Sequence, residues 1–222
     1  MKPKIIIIGG IESTYKNAQV LHDLGAQIVM FYTRGKNSPG WEGVDLVNEN
    51  KFSFAKRVPR TEVNGDINEY TGRIKKLKPC LIFSLGWQQI FRKALLNICP
   101  VIGIHESLLP ECAGAVPIAN AILNDRPVTG ITLFQIDKGM DTGPIIAQLR
   151  GLLDPRKATA TELYKEAMQL EKEILTAYFP LLLNGKAPRI PQDMSRRTVY
   201  GKIEWGKWPK AKQKRVRVYP YA

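Results

Sequence analysis

Short apolar runs rich in β-branched residues recur along this chain, and segments of helical periodicity separate them. The runs have the length of buried strands and cover residues 4–8, 26–32, 80–85, 101–105, 128–136 and 145–149. The helical segments cover residues 13–24, 66–77, 91–96, 117–123 and 161–179. Because strands that alternate with helices form parallel sheets, the sequence predicts an α/β fold. It would have a mostly parallel, twisted sheet with helices on both faces, plus a small C-terminal extension.

Local signals refine this Rossmann-like pattern. Ser13 is the predicted N-cap of the first helix, and Gly25 ends that helix. Pro180 is predicted to end or kink the longest helix, because proline removes a backbone donor. The stretch from residue 33 to residue 60 is irregular, with weak strand candidates at residues 44–47 and 54–58.

The length of 222 residues and the hydrophobic fraction of 44% predict one packed domain with a small appendage. We place the main domain at residues 1–190 and a short basic extension at residues 191–222. The net charge of +13 favours anionic partners such as phosphates, polyglutamate tails or nucleic acid. Residues 207–217 hold six basic side chains and no acidic one, as either a solvated tail or an anion-binding strip.

The cysteine pattern and the apolar runs exclude several classes. Cys80, Cys99 and Cys112 are odd in number and widely spaced, so they predict neither a disulfide framework nor a zinc site, and we expect no metal. The apolar runs are too short for a membrane span or a signal-peptide core. We therefore expect a cytoplasmic protein that does not bind membranes.

Two segments contain the candidate chemistry. His105 ends a predicted strand, and the glycine-rich loop of residues 137–144 follows another. Ligands of such sheets bind beyond the carboxyl ends of the strands, so the two segments are expected to border one crevice. Each also has a simpler interpretation, since His105 alone is more often structural and the loop alone is more often a hairpin turn. His22, within the first helix, is expected to be structural.

The order and spacing of several motifs carry a family resemblance. The stretch Gly-Ile-His-Glu-Ser-Leu-Leu-Pro (103–110), then Gly-Ala-Val-Pro-Ile (114–118), Gly-Ile-Thr-Leu (130–133) and Asp-Lys-Gly-Met-Asp-Thr-Gly-Pro-Ile (137–145) resembles the formyltransferases that use 10-formyltetrahydrofolate. That family includes methionyl-tRNA formyltransferase, glycinamide ribonucleotide transformylase and the sugar N-formyltransferases. The likeness is dense over residues 77–148 and weaker elsewhere.

The resemblance implies roles for individual residues. The family's catalytic histidine falls on His105 and its aspartate on Asp141, while its asparagine falls on Gly103, which has no side-chain amide. It also implies a set that binds the donor and a set that binds the substrate. The donor set is Leu85, Gly86, Trp87, Gln88, Ile90, Ile136, Asp137, Lys138, Gly139 and Met140; the substrate set is Gly10, Ser107, Leu108, Pro110 and Gly114.

The implied reaction moves a formyl group from 10-formyltetrahydrofolate to a primary amine, and we rank a nucleotide-linked amino sugar first as acceptor. Other small amines rank second, and aminoacyl-tRNA, which the basic tail supports, ranks third. Because Gly103 lacks the amide, two further interpretations remain. The protein could hydrolyse 10-formyltetrahydrofolate, or it could be an inactive folate-binding or RNA-binding protein. The last residues resemble a junction that precedes more chain in several relatives, so the chain is either naturally short or lacks a part. A homodimer also stays open.

Overall fold

The computed structural model describes residues 2–35 and 52–216, and its main feature is a mixed β-sheet. Seven strands form this sheet in the order β3-β2-β1-β4-β5-β7-β8, and β6 and β9 form a small second sheet. Strands β1 to β5 pair in parallel, whereas β8 runs antiparallel to β7. The strands are β1 Lys4–Ile8, β2 Gln27–Arg34, β3 Arg60–Val63, β4 Leu81–Ser84, β5 Val101–His105, β6 Ala113–Gly114, β7 Gly130–Gln135, β8 Ile145–Arg150 and β9 Val199–Tyr200. The predicted α/β class is confirmed.

Among the described residues, six α-helices accompany the strands: α1 Glu12–Asp23, α2 Thr71–Leu77, α3 Lys93–Leu96, α4 Pro117–Leu123, α5 Ala160–Leu183 and α6 Lys210–Val216. The bounds of β1, β5 and α4 are those that the sequence predicts. The helix predicted at residues 66–77 consists of a 3₁₀ turn, Ile67–Tyr70, followed by α2. Within the described ranges, no helix is both long and apolar enough to cross a membrane.

The chain divides into two compact units. The first unit comprises Met1–Gly103, Gln135–Gly139 and Leu175–Ala187, and the second comprises Ile104–Phe134, Met140–Ile174 and Pro188–Ala222. In the first unit, the four isoleucines of β1 are fully buried, as expected for a strand covered on both faces. Its core also contains Tyr32, Ile74 and Ile82. In the second unit, Ile131, Leu133 and Leu163 are buried.

The start of α1 differs from the prediction. The N-cap is Ile11 and not Ser13, which lies buried inside the helix. The Thr14 hydroxyl explains the earlier start, because it accepts a hydrogen bond from the Ile11 N–H (3.2 Å) and donates one to the Leu85 carbonyl (2.8 Å). This satisfies one of the free donors of the first turn.

The strand predicted at residues 54–58 is wrong, because Ala55–Arg57 forms a 3₁₀ turn. Phe54 faces the rings of His22 and Phe31, so its apolar character reflects packing of the turn and not a strand. The strand of this region is β3, which lies later in the chain. The other weak candidate, at residues 44–47, lies outside the described residues.

Of the two alternatives predicted for Pro180, the end of the helix is wrong, because α5 continues to Leu183. A proline removes only its own N–H from the helix ladder. The carbonyl of Pro180 still accepts a hydrogen bond from the Asn184 N–H (3.2 Å). The helix therefore gains a further turn before Gly185 with φ +65°.

The C-terminal part of the second unit packs on the rest of that unit. Strand β9 pairs in parallel with β6, and α6 lies within the basic segment of residues 207–217. Lys212 forms an ion pair with Asp125, and the Arg215 guanidinium donates to the Pro155 and Ala158 carbonyls. At least part of this segment is therefore ordered on the second unit, and Lys212 and Arg215 have partners there.

Candidate active site

His105 ends β5 and is anchored through one ring nitrogen. Its side chain is buried, and Nε2 lies 2.9 Å from the Cys112 carbonyl oxygen. A carbonyl oxygen can only accept a hydrogen bond, so Nε2 carries a hydrogen. The other nitrogen, Nδ1, lies 4.0 Å from Asp141 Oδ2. That separation exceeds a direct hydrogen bond, so Nδ1 is the nitrogen that remains available for proton transfer.

Asp141 lies in a strained loop of the same unit, with φ +53°. A short polar side chain tolerates this left-handed conformation better than most. Asp141 Oδ2 accepts a hydrogen bond from the Gly114 N–H (2.8 Å), which aims the carboxylate. The structure therefore brings together the two side chains that the family resemblance singled out, in a geometry set by backbone groups.

Glu106 follows His105 and adds a second carboxyl group, one that was not predicted from the sequence. Its side chain is half-buried. Burial raises the pKa of Glu106 above its usual value, while the electrostatic interaction with His105 acts against that rise and the one with the Asp141 carboxylate adds to it. The second unit therefore holds two carboxyl groups and one imidazole in mutual electrostatic contact.

Replacing Glu106 with glutamine is expected to stabilise the protein at neutral pH. Because the pKa of Glu106 is raised on folding, its contribution to stability is full below about pH 4 and is lost as the pH rises through the raised pKa. Thermal unfolding between pH 4 and pH 8 should show the Glu106→Gln variant gaining stability over the wild type as the pH rises. Glu62→Gln, on the exposed strand β3, is the control; an equal gain there would contradict the expectation.

The loop after His105 contains most of the predicted substrate residues and is internally bonded. The Ser107 hydroxyl is buried and donates to the Glu111 carbonyl (2.8 Å), while its own carbonyl accepts from Thr132 (2.6 Å). Leu108 and Pro110 lie in the same loop, and Gly114 uses its N–H to hold Asp141. Gly10, the remaining residue of that set, belongs to the first unit, where it follows β1.

Cys112 contributes its backbone and not its thiol. Its carbonyl anchors His105, and its N–H donates to the Thr198 hydroxyl (2.8 Å). Burial raises the pKa of the Cys112 thiol to about 11, although Thr198 acts to lower it. Since the thiolate is the reactive form of cysteine, this group is a poor nucleophile at neutral pH.

The first unit holds nearly all the predicted donor-binding residues, in two segments. In the first segment, Leu85 is buried, Trp87 packs against the core, and Gln88 and Ile90 are exposed. Gly86 has φ +64°, and a Cβ there would lie 2.3 Å from Ile11, so the turn requires glycine. This backbone follows the carboxyl end of β4, where ligands of parallel sheets bind.

Neighbouring residues of the same unit brace this segment. The Gln89 side chain accepts from the Ile67 N–H (2.8 Å) and donates to the Gly65 carbonyl (2.8 Å). Arg92 forms an ion pair with Asp66 at 2.7 Å. A cavity of about 420 Å³ is lined here by Gly65, Asp66, Gln89, Ile90 and Arg92. The segment is thus fixed next to open space of ligand size.

The second donor segment continues from β7. Ile136 packs against the core of the first unit, and Asp137 Oδ1 accepts from the Gly139 N–H (2.9 Å). Lys138 and Met140 are exposed, and Met140 begins the stretch that belongs to the second unit. In residues 2–35 and 52–216, no three His, Cys, Asp or Glu side chains are grouped to hold a metal ion.

Among the residues that contact the loops of the second unit, Gln192, Arg197 and Thr198 were not predicted from the sequence. Gln192 and Arg197 donate to backbone carbonyls at residues 140–143, and Thr198 accepts from Cys112. All three lie beyond residue 190, in the predicted extension. Their only sequence signal is the polar run Gln192–Thr198, which has no periodicity.

Comparison with known proteins decides the family. A family model described as formyl transferase matches residues 4–178, which is well over half of the chain. The chain belongs to the formyl transferase family. This confirms the resemblance drawn from the motifs at residues 103–118 and 130–145.

Several curated relatives carry the name methionyl-tRNA formyltransferase. The one from Alkaliphilus oremlandii (strain OhILAs) is 32% identical over 215 residues, covering 91% of this chain and 68% of that protein. The one from Chloroflexus aggregans (strain MD-66 / DSM 9485) is 36% identical over 146 residues, covering 62% of this chain. The chain spans only 47% of that second relative's length.

Solved structures share the fold. An N-formyltransferase from Helicobacter canadensis, in complex with folinic acid and dTDP-3-aminofucose, aligns with a TM-score of 0.69 at 20% identity. The alignment covers 90% of this chain and 71% of that chain. At this identity the likeness concerns the fold.

Proposed function

We propose that this chain transfers a formyl group from 10-formyltetrahydrofolate to a primary amine, with His105 and Asp141 at the reacting atoms. The observation that carries the proposal is the anchoring of His105. With Nε2 held by the Cys112 carbonyl, Nδ1 is the available nitrogen, 4.0 Å from Asp141 Oδ2. A formyl transferase needs a group of this kind, because protons must move during the reaction.

The chemistry assigns a task to each side chain. The amine nitrogen forms a bond to the formyl carbon, the bond from that carbon to N10 of the folate breaks, and one proton passes from the amine to N10. His105 carries this proton through Nδ1, and its protonated ring donates a hydrogen bond to the formyl oxygen as negative charge develops there. The Asp141 carboxylate, with Oδ2 4.0 Å from Nδ1, would offset the positive charge of the ring while it holds this proton.

The donor would be held in the first unit by the turn after β4 and by residues 136–139. Exposed side chains of both segments, among them Ile90 and Lys138, would contact a flat heterocycle bearing amide groups. Ile90 is 49% exposed beside the cavity of about 420 Å³. Gly103 has no side-chain amide, so another group must donate a hydrogen bond to the oxyanion. The loss of one such donor commonly lowers the turnover number by a factor of about 10²–10³.

We propose a nucleotide-linked amino sugar as the acceptor. Support comes from the solved relative that binds dTDP-3-aminofucose and from the fold that it shares over 90% of this chain. The net charge of +13 favours the diphosphate of such a substrate.

A methionyl-tRNA acceptor is the second candidate, because several curated relatives carry that name. The same positive charge would also favour an RNA backbone, without reading its sequence. Formyl hydrolysis, in which water replaces the amine, is the third candidate and rests on Gly103.

We also propose that the chain acts in the cytoplasm. All three cysteines of the sequence lie in the described ranges and are free thiols, which suits a reducing compartment. Residues 1–190 would form the catalytic domain, and residues 191–222 would support it through the contacts of Gln192, Arg197 and Thr198.

An assay of tetrahydrofolate release tests the proposed reaction and its acceptor together. The protein would receive 10-formyltetrahydrofolate alone, then with a dTDP-linked amino sugar, and then with methionyl-tRNA. We expect release with the amino sugar only. The Asp141→Asn variant, which keeps the size of the side chain and loses its charge, is expected to show little release.

Each other pattern of release would replace the proposal. Release only with methionyl-tRNA would assign that acceptor, and release without any amine, lost in the variant, would make the protein a hydrolase. Donor binding with no release under any condition would leave a folate-binding protein.

A further inference from the structure

Two side chains beyond residue 190 hold the backbone of the loop that carries Asp141. Gln192 Nε2 donates to the carbonyls of Asp141 (2.9 Å) and Gly143 (2.7 Å). The Arg197 guanidinium donates to the carbonyls of Met140 (2.6 Å) and Asp141 (3.3 Å). Three carbonyls of one short loop are thus bonded by two side chains, and the Asp141 carbonyl receives both.

Local structure brings these two side chains to the same loop. Between them lies the 3₁₀ turn Met194–Arg196, which Asp193 caps by accepting from the Ser195 N–H (3.1 Å) and hydroxyl (2.6 Å). Gln192 and Arg197 flank this turn, and both are half-buried.

We propose that Gln192 and Arg197 are positioning residues for Asp141; this inference rests on the proposed function, in which Asp141 acts on His105. They bond the loop only through its backbone carbonyls, so the Asp141 carboxylate stays directed at Gly114 and His105. Because they act through Asp141, they are not catalytic residues themselves.

The loop needs such support for a physical reason. Asp141 has φ +53°, a conformation that non-glycine residues keep only when surrounding contacts fix it. Glycines at positions 139 and 143 flank it and permit other backbone paths. A change of path would move Oδ2 away from Nδ1 of His105, which already lies 4.0 Å away. Proton transfer depends on that geometry.

The test replaces the amide donor by an apolar side chain of similar size. Gln192→Met is compared with Gln213→Met, since Gln213 also donates to two carbonyls, those of Trp205 (3.1 Å) and Trp208 (2.7 Å). The first readout is the ring ¹H–¹⁵N spectrum of the histidines at fixed pH. The sequence has only two, so His22 serves as an internal reference.

We expect the His105 ring signals to move in Gln192→Met, in the direction that Asp141→Asn produces, while those of His22 stay. The turnover number of the proposed transfer should fall at least tenfold, with the KM for the donor within twofold. Gln213→Met should change neither the His105 signals nor the turnover number.

Unchanged His105 signals in a folded Gln192→Met variant would overturn the proposal. The spectrum can be measured without turnover. An inactive wild type would therefore refute the proposed function, whereas the spectrum would still test this inference. If Gln192→Met melts much lower than Gln213→Met, Arg197→Lys gives the same test, because it keeps the charge and loses the forked donor. Signals unmoved in that variant would then count against the proposal.

Discussion

Replacing His105 with alanine is expected to lower the turnover number of formyl transfer by a factor of about 10²–10⁴, which is the usual contribution of a positioned acid–base group. The KM for 10-formyltetrahydrofolate should change little, because all the predicted donor-binding residues except Met140 lie in the first unit, whereas His105 lies in the second. Steady-state kinetics with the accepted amine measures both quantities.

His22→Ala is the matched control for this prediction. His22 also has an aspartate partner, with Nδ1 3.2 Å from Asp23 Oδ1, but it is exposed on α1. We expect no change in its kinetics. The loss of the His105 bond to the Cys112 carbonyl should cost about 1–3 kcal/mol of stability, so melting temperatures are compared as well. Equal losses of turnover and donor binding would show that His105 is structural.

Strands that are buried on both faces were predictable, because nearly every residue of such a strand is apolar and the resulting apolar run is a clear signal in the sequence. Strand β1 shows this, with four consecutive isoleucines that are fully buried. Strand β3 lacks the signal, since it lies at the edge of the sheet and its residues Arg60–Val63 are buried only at Val63. Strands β6 and β9 have two residues each and are too short for any periodicity.

The candidate site also has a part that the sequence predicted and a part that it did not. His105 and Asp141 were identified by family motifs, and the structure places them 4.0 Å apart. Gln192 contacts Asp141, which lies 51 positions away in the chain, and Thr198 contacts Cys112, which lies 86 positions away. Periodicity reports local structure only, so bonds of this range leave no pattern in a single sequence. Glu106 was missed because its raised pKa comes from burial, which the sequence does not show.

Replacing Gly114 with alanine is expected to destabilise the second unit strongly and to reduce transfer. Gly114 has φ +99°, and an added Cβ would lie 2.2 Å from the Tyr200 carbonyl oxygen, a backbone atom. Either β6 or β9 must move, which breaks their pairing and shifts the Gly114 N–H away from Asp141. A core change of this kind commonly costs about 3 kcal/mol, or about 6–12 °C in melting temperature for a chain of this size.

Gly185→Ala separates the clash from the backbone strain. Gly185 also has a positive φ, of +65°, but no other heavy atom lies within 4 Å of an added Cβ. Its replacement should cost about 1 kcal/mol through the backbone alone, with turnover unchanged. The stability that Gly114→Ala loses beyond the loss in Gly185→Ala is then the cost of the clash with Tyr200. The change in the turnover number of Gly114→Ala shows how much the Gly114 N–H contributes to orienting Asp141. Similar melting temperatures for both variants would mean that β9 yields easily, and the support that residues 192–200 give to Asp141 would then be weaker than proposed.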